Sequence, residues 1–432
     1  MTRGRAVPNH SPHGASGKRH IWQILGPGLI TGASDDDPSG IATYSQAGAQ
    51  LGYGLAWTML FSFPLMAAIQ EICARIGRVT GHGIAGNMRR HYHPALLHGA
   101  VWLLIGANLF NIGADLSAMG DVVHMLVGGP RLLYIAAFAA FCVVAEVYMR
   151  YARYIGLLKW TAMSLLAYVA AALAVNVPWG TVIDATFRPT ITLDSAFALT
   201  AVLGTTISPY LLFWQSSDEA ERERRDRHAH PLLRSSVDAV AEFHRIRVDT
   251  WIGMFLSNLI GWFIIVTVAA TLHTHGVTNI DTSSQAAEAL RPIAGPFAYA
   301  VFSLGIIGTG LLTVPVLAGS AAYALGEALH WPVGLARRPM NAKAFYGAIA
   351  TATALGLGMN LTPLDPIKAL FWSAVLNGVA VTPLMLATML LARNRRVMGE
   401  LVLPAPLAAA GWVATLAMAG TTILMVATWG QG

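Results

Sequence analysis

Apolar residues in this chain run in long uninterrupted blocks, not in the one-sided stripes of a soluble helix. Residues 251–271 (WIGMFLSNLIGWFIIVTVAAT) and 401–429 contain no charged side chain, and each exceeds the ~20 residues a helix needs to cross a bilayer. Eleven such spans are predicted, at about 22–51, 54–76, 97–127, 132–149, 155–177, 194–216, 248–272, 297–327, 342–359, 365–391 and 401–429. The pattern predicts an all-α polytopic membrane protein: one membrane domain over 21–432 behind a basic tail at 1–20, with no separate soluble domain. Two spans are interrupted. The first breaks at Asp37-Pro38-Ser39-Gly40 within S-D-D-D-P-S-G-I-A, and the sixth at Ile207-Ser208-Pro209-Tyr210 within LTAVLGTTISPYLLFWQSS.

Composition agrees with the spans. The chain has 432 residues, 55% hydrophobic and 12% charged, about half the charged fraction of a soluble domain; its mean hydropathy is +0.54. The basic balance, net +6, does not gather on a nucleic-acid-binding face. It sorts by side of the membrane. With the N-terminus in the cytoplasm, alternate connections collect 24 of the 28 Lys and Arg, leaving Arg131, Arg188, Arg291 and Lys368 outside. This is the asymmetry of the positive-inside rule, and it places the C-terminus outside in a cell (inner) membrane protein. The tail lacks the apolar core of a signal peptide. Cys73 and Cys142 lie in apolar segments, so no disulfide framework is expected. The H-x-H pairs His228/His230 and His273/His275 are too little for a metal site by themselves. The charge run of the long 217–247 connection reads as a solvated, partly helical face, and Glu71 with Arg75 as an exposed pair of small energetic worth.

The two breaks carry the chemistry. Proline removes a helix hydrogen bond and clashes with the preceding turn, and freed carbonyls persist in a membrane only where they line a cavity or meet a ligand. Five spans separate the breaks, so they sit in two halves of opposite orientation, about 22–177 and 194–391, the arrangement of a transporter's midplane site. Pro64, Pro315 and Pro383 show that a proline kink used for packing is the simpler alternative. A kink, however, does not need Asp35, Asp36 and Asp37. A carboxylate in mid-membrane costs ~2.5–3.5 kcal/mol or more, which a passing cation offsets. Successive helical residues point about 100° apart, so the three acids do not share one task. Asp37, next to the proline, is the expected ligand; Asp35 and Asp36 tune the field or line the path.

At these residues the chain resembles the Nramp family of divalent metal transporters. G-P-G-L-I-T-G-A-S-D-D-D-P-S-G-I-A-T-Y-S-Q-A-G-A-Q-L-G-Y is similar to that family's first helix, with its D-P-G-N signature. G-T-T-I-S-P-Y-L-L-F-W-Q-S-S is similar to its sixth helix, with M-P-H. V-D-T-W-I-G-M-F-L-S-N-L, L-N-G-V-A-V-T-P-L and N-R-R-V-M-G-E resemble its seventh helix, its tenth and the connection that follows. The resemblance implies a LeuT-type fold, a 5+5 inverted repeat with an ion held between broken helices 1 and 6. It also implies backbone carbonyls of Ser34 and Thr205 as ion ligands beside Asp37.

Departures from the signatures bear on selectivity. Gly40 stands where the family has its asparagine ligand, Ser208 where it has methionine, and Tyr210 where it has histidine. Losing a thioether removes a soft ligand, whereas oxygen donors suit Mg2+, Ca2+ and Mn2+. Mg2+ keeps several waters on one or two carboxylates. The expected substrate is therefore Mg2+, with Mn2+ as the second ion, as in the Nramp-related magnesium transporter branch. Proton-coupled relatives carry histidines at the positions of Tyr210 and Gln215, and an acidic pair in helix 3 of which only Asp115 remains, Ala118 filling the second place. Tyr and Gln do not titrate near neutrality as His does, so weak or absent proton coupling is expected. Asn258 and Asn377 match polar positions of helices 7 and 10; gating and plain interhelical hydrogen bonding are both open. The metal is substrate, no cofactor is expected, and the partners are the ion and the lipid, with no obligatory protein partner. The other readings are a proton-coupled Mn2+/Fe2+ symporter and a LeuT-fold carrier of a small organic solute. No H-E-x-x-H, G-x-S-x-G or P-loop lysine favours an enzyme.

Overall fold

The computed structural model describes residues 31–32, 34–149, 163–192, 195–225, 230–236, 239–362 and 365–428; the basic tail and His228 lie outside them. The described chain is helical throughout, with no strand among the described residues. Eight helical runs are long and apolar enough to cross a membrane, or nine if a bent pair is one span.

The first break is real. Asp37 adopts an extended conformation, and its side chain caps the helix that starts on Pro38 (α1, Pro38–Leu51). Proline is tolerated at a first helical position because its missing N–H is not needed there. A 3-10 turn, Gly52–Leu55, then joins α1 to α2 (Ala56–Thr80). A short α3 (Ile84–His91) leads to α4 (Pro94–Val127) and α5 (Arg131–Tyr148). The predicted fifth span is described only from residue 163; α6 (Leu166–Ala174) is its end. The connection expected after it holds a further helix, α7 (Trp179–Phe187), and the chain bends by 119° between the two.

The second break separates α8 (Ala196–Thr206) from α9 (Pro209–Arg225), with Ile207 at φ −119°, ψ 66°. By contrast, Pro64 in α2, Pro315 in α13 (Ala298–Ala328) and Pro383 in α15 (Pro366–Arg393) sit inside continuous helices. Of these five prolines, Pro38 and Pro209 interrupt the backbone; a hydroxyl neighbour alone does not decide it, since Thr382 precedes Pro383. The seventh span is α10 (Ala239–Thr271). Two short helices follow it, α11 (Ser283–Glu288) and α12 (Arg291–Ala294). The ninth span is α14 (Lys343–Met359), and the chain closes with α16 (Arg395–Met398) and α17 (Ala405–Thr428).

α2 packs on α9 and α10, and α10 on α1, forming one group. α4, α5, α13 and α14 pack on one another as a second, and α15 touches α1, α4 and α8. The α8–α15 crossing is close because both sides are glycine: a Cβ on Gly204 would collide with the backbone of Gly378.

Two expectations about charge are corrected. Glu71 and Arg75 are not an exposed pair; their side chains are 1% and 7% exposed at 2.7 Å, and Arg247 and Trp251 also reach Glu71. Nor is the 217–247 charge run a solvated face. α9 continues past the predicted limit, and Asp218, Glu219, Glu221 and Glu223 are buried. Arg245 binds Glu219 at 2.6 Å and Glu242 at 3.2 Å, and Glu242 binds Arg78 at 3.0 Å. Helical period explains both: residues three and four apart share a face, and here that face meets a neighbouring helix instead of water. His273 and His275 hydrogen-bond to backbone carbonyls of Ala49 and Thr271, as structural residues do.

Candidate functional site

Asp37 lies at the start of α1, 1% exposed. Its Oδ1 accepts from the Ser39 hydroxyl at 2.7 Å and the Gly40 N–H at 2.6 Å. Its Oδ2 accepts from Asn111 Nδ2 on α4 at 3.1 Å, and Asn111 Oδ1 accepts from Ser373 on α15 at 2.8 Å. A chain of polar groups thus ties the broken first helix to two others. These donors hold the carboxylate oxygens in fixed directions.

The second break faces the first. A Cβ on Gly40 would come within 3.2 Å of Thr205 Oγ1 and 3.4 Å of Asp37 Oδ1. In this closed state, then, the space that glycine leaves is taken up by the Thr205 hydroxyl. The Ser208 hydroxyl turns back on the freed carbonyls of its own helix, Thr205 at 2.7 Å and Gly204 at 3.1 Å. Tyr210 crosses to the other half and donates to the Ser34 carbonyl at 2.8 Å, as does Thr313 of α13 at 3.2 Å. Both expected carbonyl ligands, Ser34 and Thr205, thus accept hydrogen bonds from side-chain hydroxyls.

Asp35 and Asp36 point elsewhere. Ser257 of α10 donates toward Asp35 Oδ2 at 2.6 Å and Asp36 Oδ1 at 3.1 Å, while Asp35 Oδ1 has no partner among the described residues. Asp115 lies one turn beyond Asn111 on α4, buried, with neither oxygen hydrogen-bonded among the described residues. Gln215 Oε1 accepts from Thr31, and its Nε2 is unpartnered. Asn377 is buried with both polar atoms unpartnered. Asn258 is different: it accepts from Ser62 of α2 at 3.0 Å and donates to the Met254 carbonyl at 3.1 Å, an interhelical fastening. The structure therefore brings together Ser34, Asp37, Gly40, Thr205, Ser208 and Tyr210, and sets Asn258 apart in a different contact.

Asn111, Ser373, Thr313 and Ser257 were not expected. Asn111 had a signal, since Asn108, Asn111 and Asp115 fall on one face of an otherwise apolar helix. The others are single hydroxyls whose partners lie on distant helices.

Two antiparallel halves with facing helix breaks and a buried carboxylate between them define a polytopic membrane protein of LeuT type. The chain belongs to the natural resistance-associated macrophage protein-like (Nramp) family, whose model matches residues 28–428. It is 25% identical over 430 residues to a divalent metal cation transporter, MntH, of Klebsiella pneumoniae (strain 342), covering 96% of this chain and 95% of that protein. Among solved structures it is similar to the Eremococcus coleocola manganese transporter, with a TM-score of 0.73, 16% identity and coverage of 98% of this chain and 89% of that one. It is also similar to Mhp1, a nucleobase-cation-symport-1 family transporter, with a TM-score of 0.55, 16% identity and coverage of 94% and 92%.

Proposed function

We propose that the protein carries divalent metal cations into the cell by alternating access, taking Mg2+ first and Mn2+ second, with Asp37 as the charged ligand. The observation that carries this reading is the meeting of two helix breaks at one buried carboxylate, where oxygens of Asp37, Thr205, Ser208 and Tyr210 gather. Family membership and the name of the MntH relative support divalent metal as the substrate class. The preference for Mg2+ rests on Ser208 and Gly40, which replace a soft and an amide ligand by a hydroxyl and a bare backbone position. Ser34 and Thr205 serve through their carbonyls, and Tyr210 and Thr313 release the Ser34 carbonyl when the ion arrives. The N-terminus is cytoplasmic and the C-terminus outside, and the two repeats cover about 22–177 and 194–391.

Uptake is driven by membrane potential, which contributes about 2.3 kcal/mol per charge per 100 mV, doubled for a divalent ion. Asp115 favours a second reading, a proton-coupled symporter, because it is buried and unpartnered close to Asn111. An organic anion as cargo is disfavoured, since Asp37 would repel it. The test is uptake of Mg2+, Mn2+ and Ca2+ into proteoliposomes with internal pH recorded. Mg2+ uptake without acidification supports the first reading; acidification that tracks uptake and vanishes in Asp115→Asn establishes the second.

A further inference from the structure

A cavity of about 240 Å³ opens on the side of the molecule that the charge distribution assigns to the cytoplasm, and its walls come from three separate elements. The turn before α3 and α3 itself supply His82 and Arg89, the end of α9 supplies Arg224, and the segment after α13 supplies Trp331 and Arg337. The lining carries one carboxylate, Glu327, and both of its oxygens are engaged: they accept from the backbone N–H groups of Gly83 and Gly86, each at 2.8 Å.

The three arginines differ from their neighbours. Arg75, Arg78, Arg225, Arg245 and Arg247 all pair with glutamates. Arg89, Arg224 and Arg337 are instead held by backbone carbonyls, those of Glu327, Gly81 (2.8 Å) and Val333 (3.1 Å). Among the described residues none of the three forms an ion pair with a carboxylate. A carbonyl fixes a guanidinium in place without neutralising it and leaves most of its five N–H donors available. The field is felt locally: burial first, then the positive charges of Arg90, Arg224, Arg89 and Arg234, push the His82 imidazole down to about 4. Positive charge on the cytoplasmic side is general in membrane proteins. Three converging guanidinium groups around one cavity, none in an ion pair among the described residues, go beyond it.

We infer that this cavity binds a phosphate-bearing anion, gripped by Arg89, Arg224 and Arg337. Planar guanidinium forks match phosphate oxygens two at a time. A phosphate bound here joins the 2–3 connection, the end of the broken sixth helix and the 8–9 connection, three elements that must separate for the cytoplasmic side to open. Occupancy therefore holds that side closed. The inference is independent of which metal the protein carries.

The test is thermal unfolding of the purified full-length protein in detergent and metal-free buffer, titrated with inorganic pyrophosphate. In a parallel arm, phosphatidic acid is added in mixed micelles with neutral lipid. Wild type should show a saturable rise in the unfolding midpoint with at least one phosphate source, and the arm that gives it identifies free or lipid phosphate. Arg337→Gln, on an exposed segment, and Arg89→Gln should each raise the half-saturating concentration about tenfold, the loss of one charge-assisted contact. Arg337→Lys keeps the charge without the fork and should fall between. Arg222→Gln removes the same charge from α9 outside the cavity lining and should behave as wild type. No stabilisation in either arm, or equal weakening in Arg222→Gln, overturns the site.

Discussion

Asp37 is both a helix cap and the charged centre of the site, and these duties constrain each other. The cap uses Oδ1, which accepts from Ser39 and Gly40, so Oδ2 is the oxygen turned toward α4 and the shared space. Asn111 sets the direction of that oxygen, and groups that orient a metal ligand are worth 10–100-fold in affinity. Asn111→Ala should therefore raise the half-saturating Mg2+ concentration in proteoliposome uptake by about that factor while the protein folds and inserts normally; an unchanged value would remove Asn111 from the site. Ser208 makes a different argument. Its hydroxyl occupies the carbonyls of Thr205 and Gly204, so Ser208→Met both frees them and adds a soft sulfur. The ratio of Mn2+ or Cd2+ to Mg2+ uptake should rise, measured by competition; a constant ratio would mean that ligand softness at this position does not set selectivity. His82 contributes to the pH dependence of this side of the molecule. Its imidazole protonates at about 4 in the folded protein against about 6.5 unfolded, so between those values the unfolded chain binds more protons. The contribution of His82 to stability is then complete above about pH 6.5 and falls as pH drops toward 4. Unfolding midpoints measured across that window should slope less in His82→Gln than in wild type.

At the scale of elements, the first helix break is legible in the chain because proline beside three acids in an apolar run leaves polar groups that need a cavity or a ligand. The second break has no such signal of its own: Pro383 follows Thr382 as Pro209 follows Ser208, yet Pro64, Pro315 and Pro383 leave their helices continuous. Interhelical register is what the pattern does not carry. Glu71 and Arg75 look like an exposed i,i+4 pair from one helix alone, but α10 brings Arg247 and Trp251 over them. Phe243 also faces the Arg75 guanidinium at 4.3 Å. The acids of α9 look solvated until α10 and the 330–342 segment cover them. For the same reason Ser257, Thr313 and Ser373 give no signal: a lone hydroxyl in an apolar helix has no meaning until the facing helix is known. Burial changes the energetics as well. Losing one partner of a buried pair costs about 3–5 kcal/mol, because the other charge remains unpaired. Glu71→Ala strands Arg75 and should lower the thermal unfolding midpoint of the purified protein sharply. Removing Asp184, which pairs with Arg188 at side-chain exposures of 54% and 78%, should leave it nearly unchanged.

Across the whole molecule the polar fastenings are distributed unevenly. On the side that the charge distribution assigns to the cytoplasm, Glu219–Arg245–Glu242–Arg78 joins α9, α10 and α2. Glu221 accepts from Tyr323 and from the backbone N–H groups of Leu335 and Ala336 (2.9 and 2.7 Å), clasping α9 to α13 and the segment after it. On the opposite side a cavity of about 400 Å³ reaches inward between Gln46, Asn279, Phe371 and Lys368. Lys368 has a single exposed pairing there, with Asp281 at 3.4 Å. The site itself is shut from both directions, but the fastenings on the cytoplasmic side are the more numerous and the more buried. Opening on that side is expected to break Glu219–Arg245, in which Glu219 is fully buried. Removing Arg245 removes that barrier together with its contact to Glu242, and a change of even 1.4 kcal/mol between two states moves their ratio tenfold. Arg245→Ala should thus populate the inward-open state. Ser217 reports on it: the residue is buried near Gly83, where α9 meets the turn before α3. With Cys73 and Cys142 replaced by alanine, Ser217→Cys should react slowly with a membrane-impermeant thiol reagent applied from the cytoplasmic side. Adding Arg245→Ala should speed that reaction tenfold or more. Equal labelling rates with and without Arg245 would show that the ion-pair chain fastens the fold but does not set the balance between closed and open.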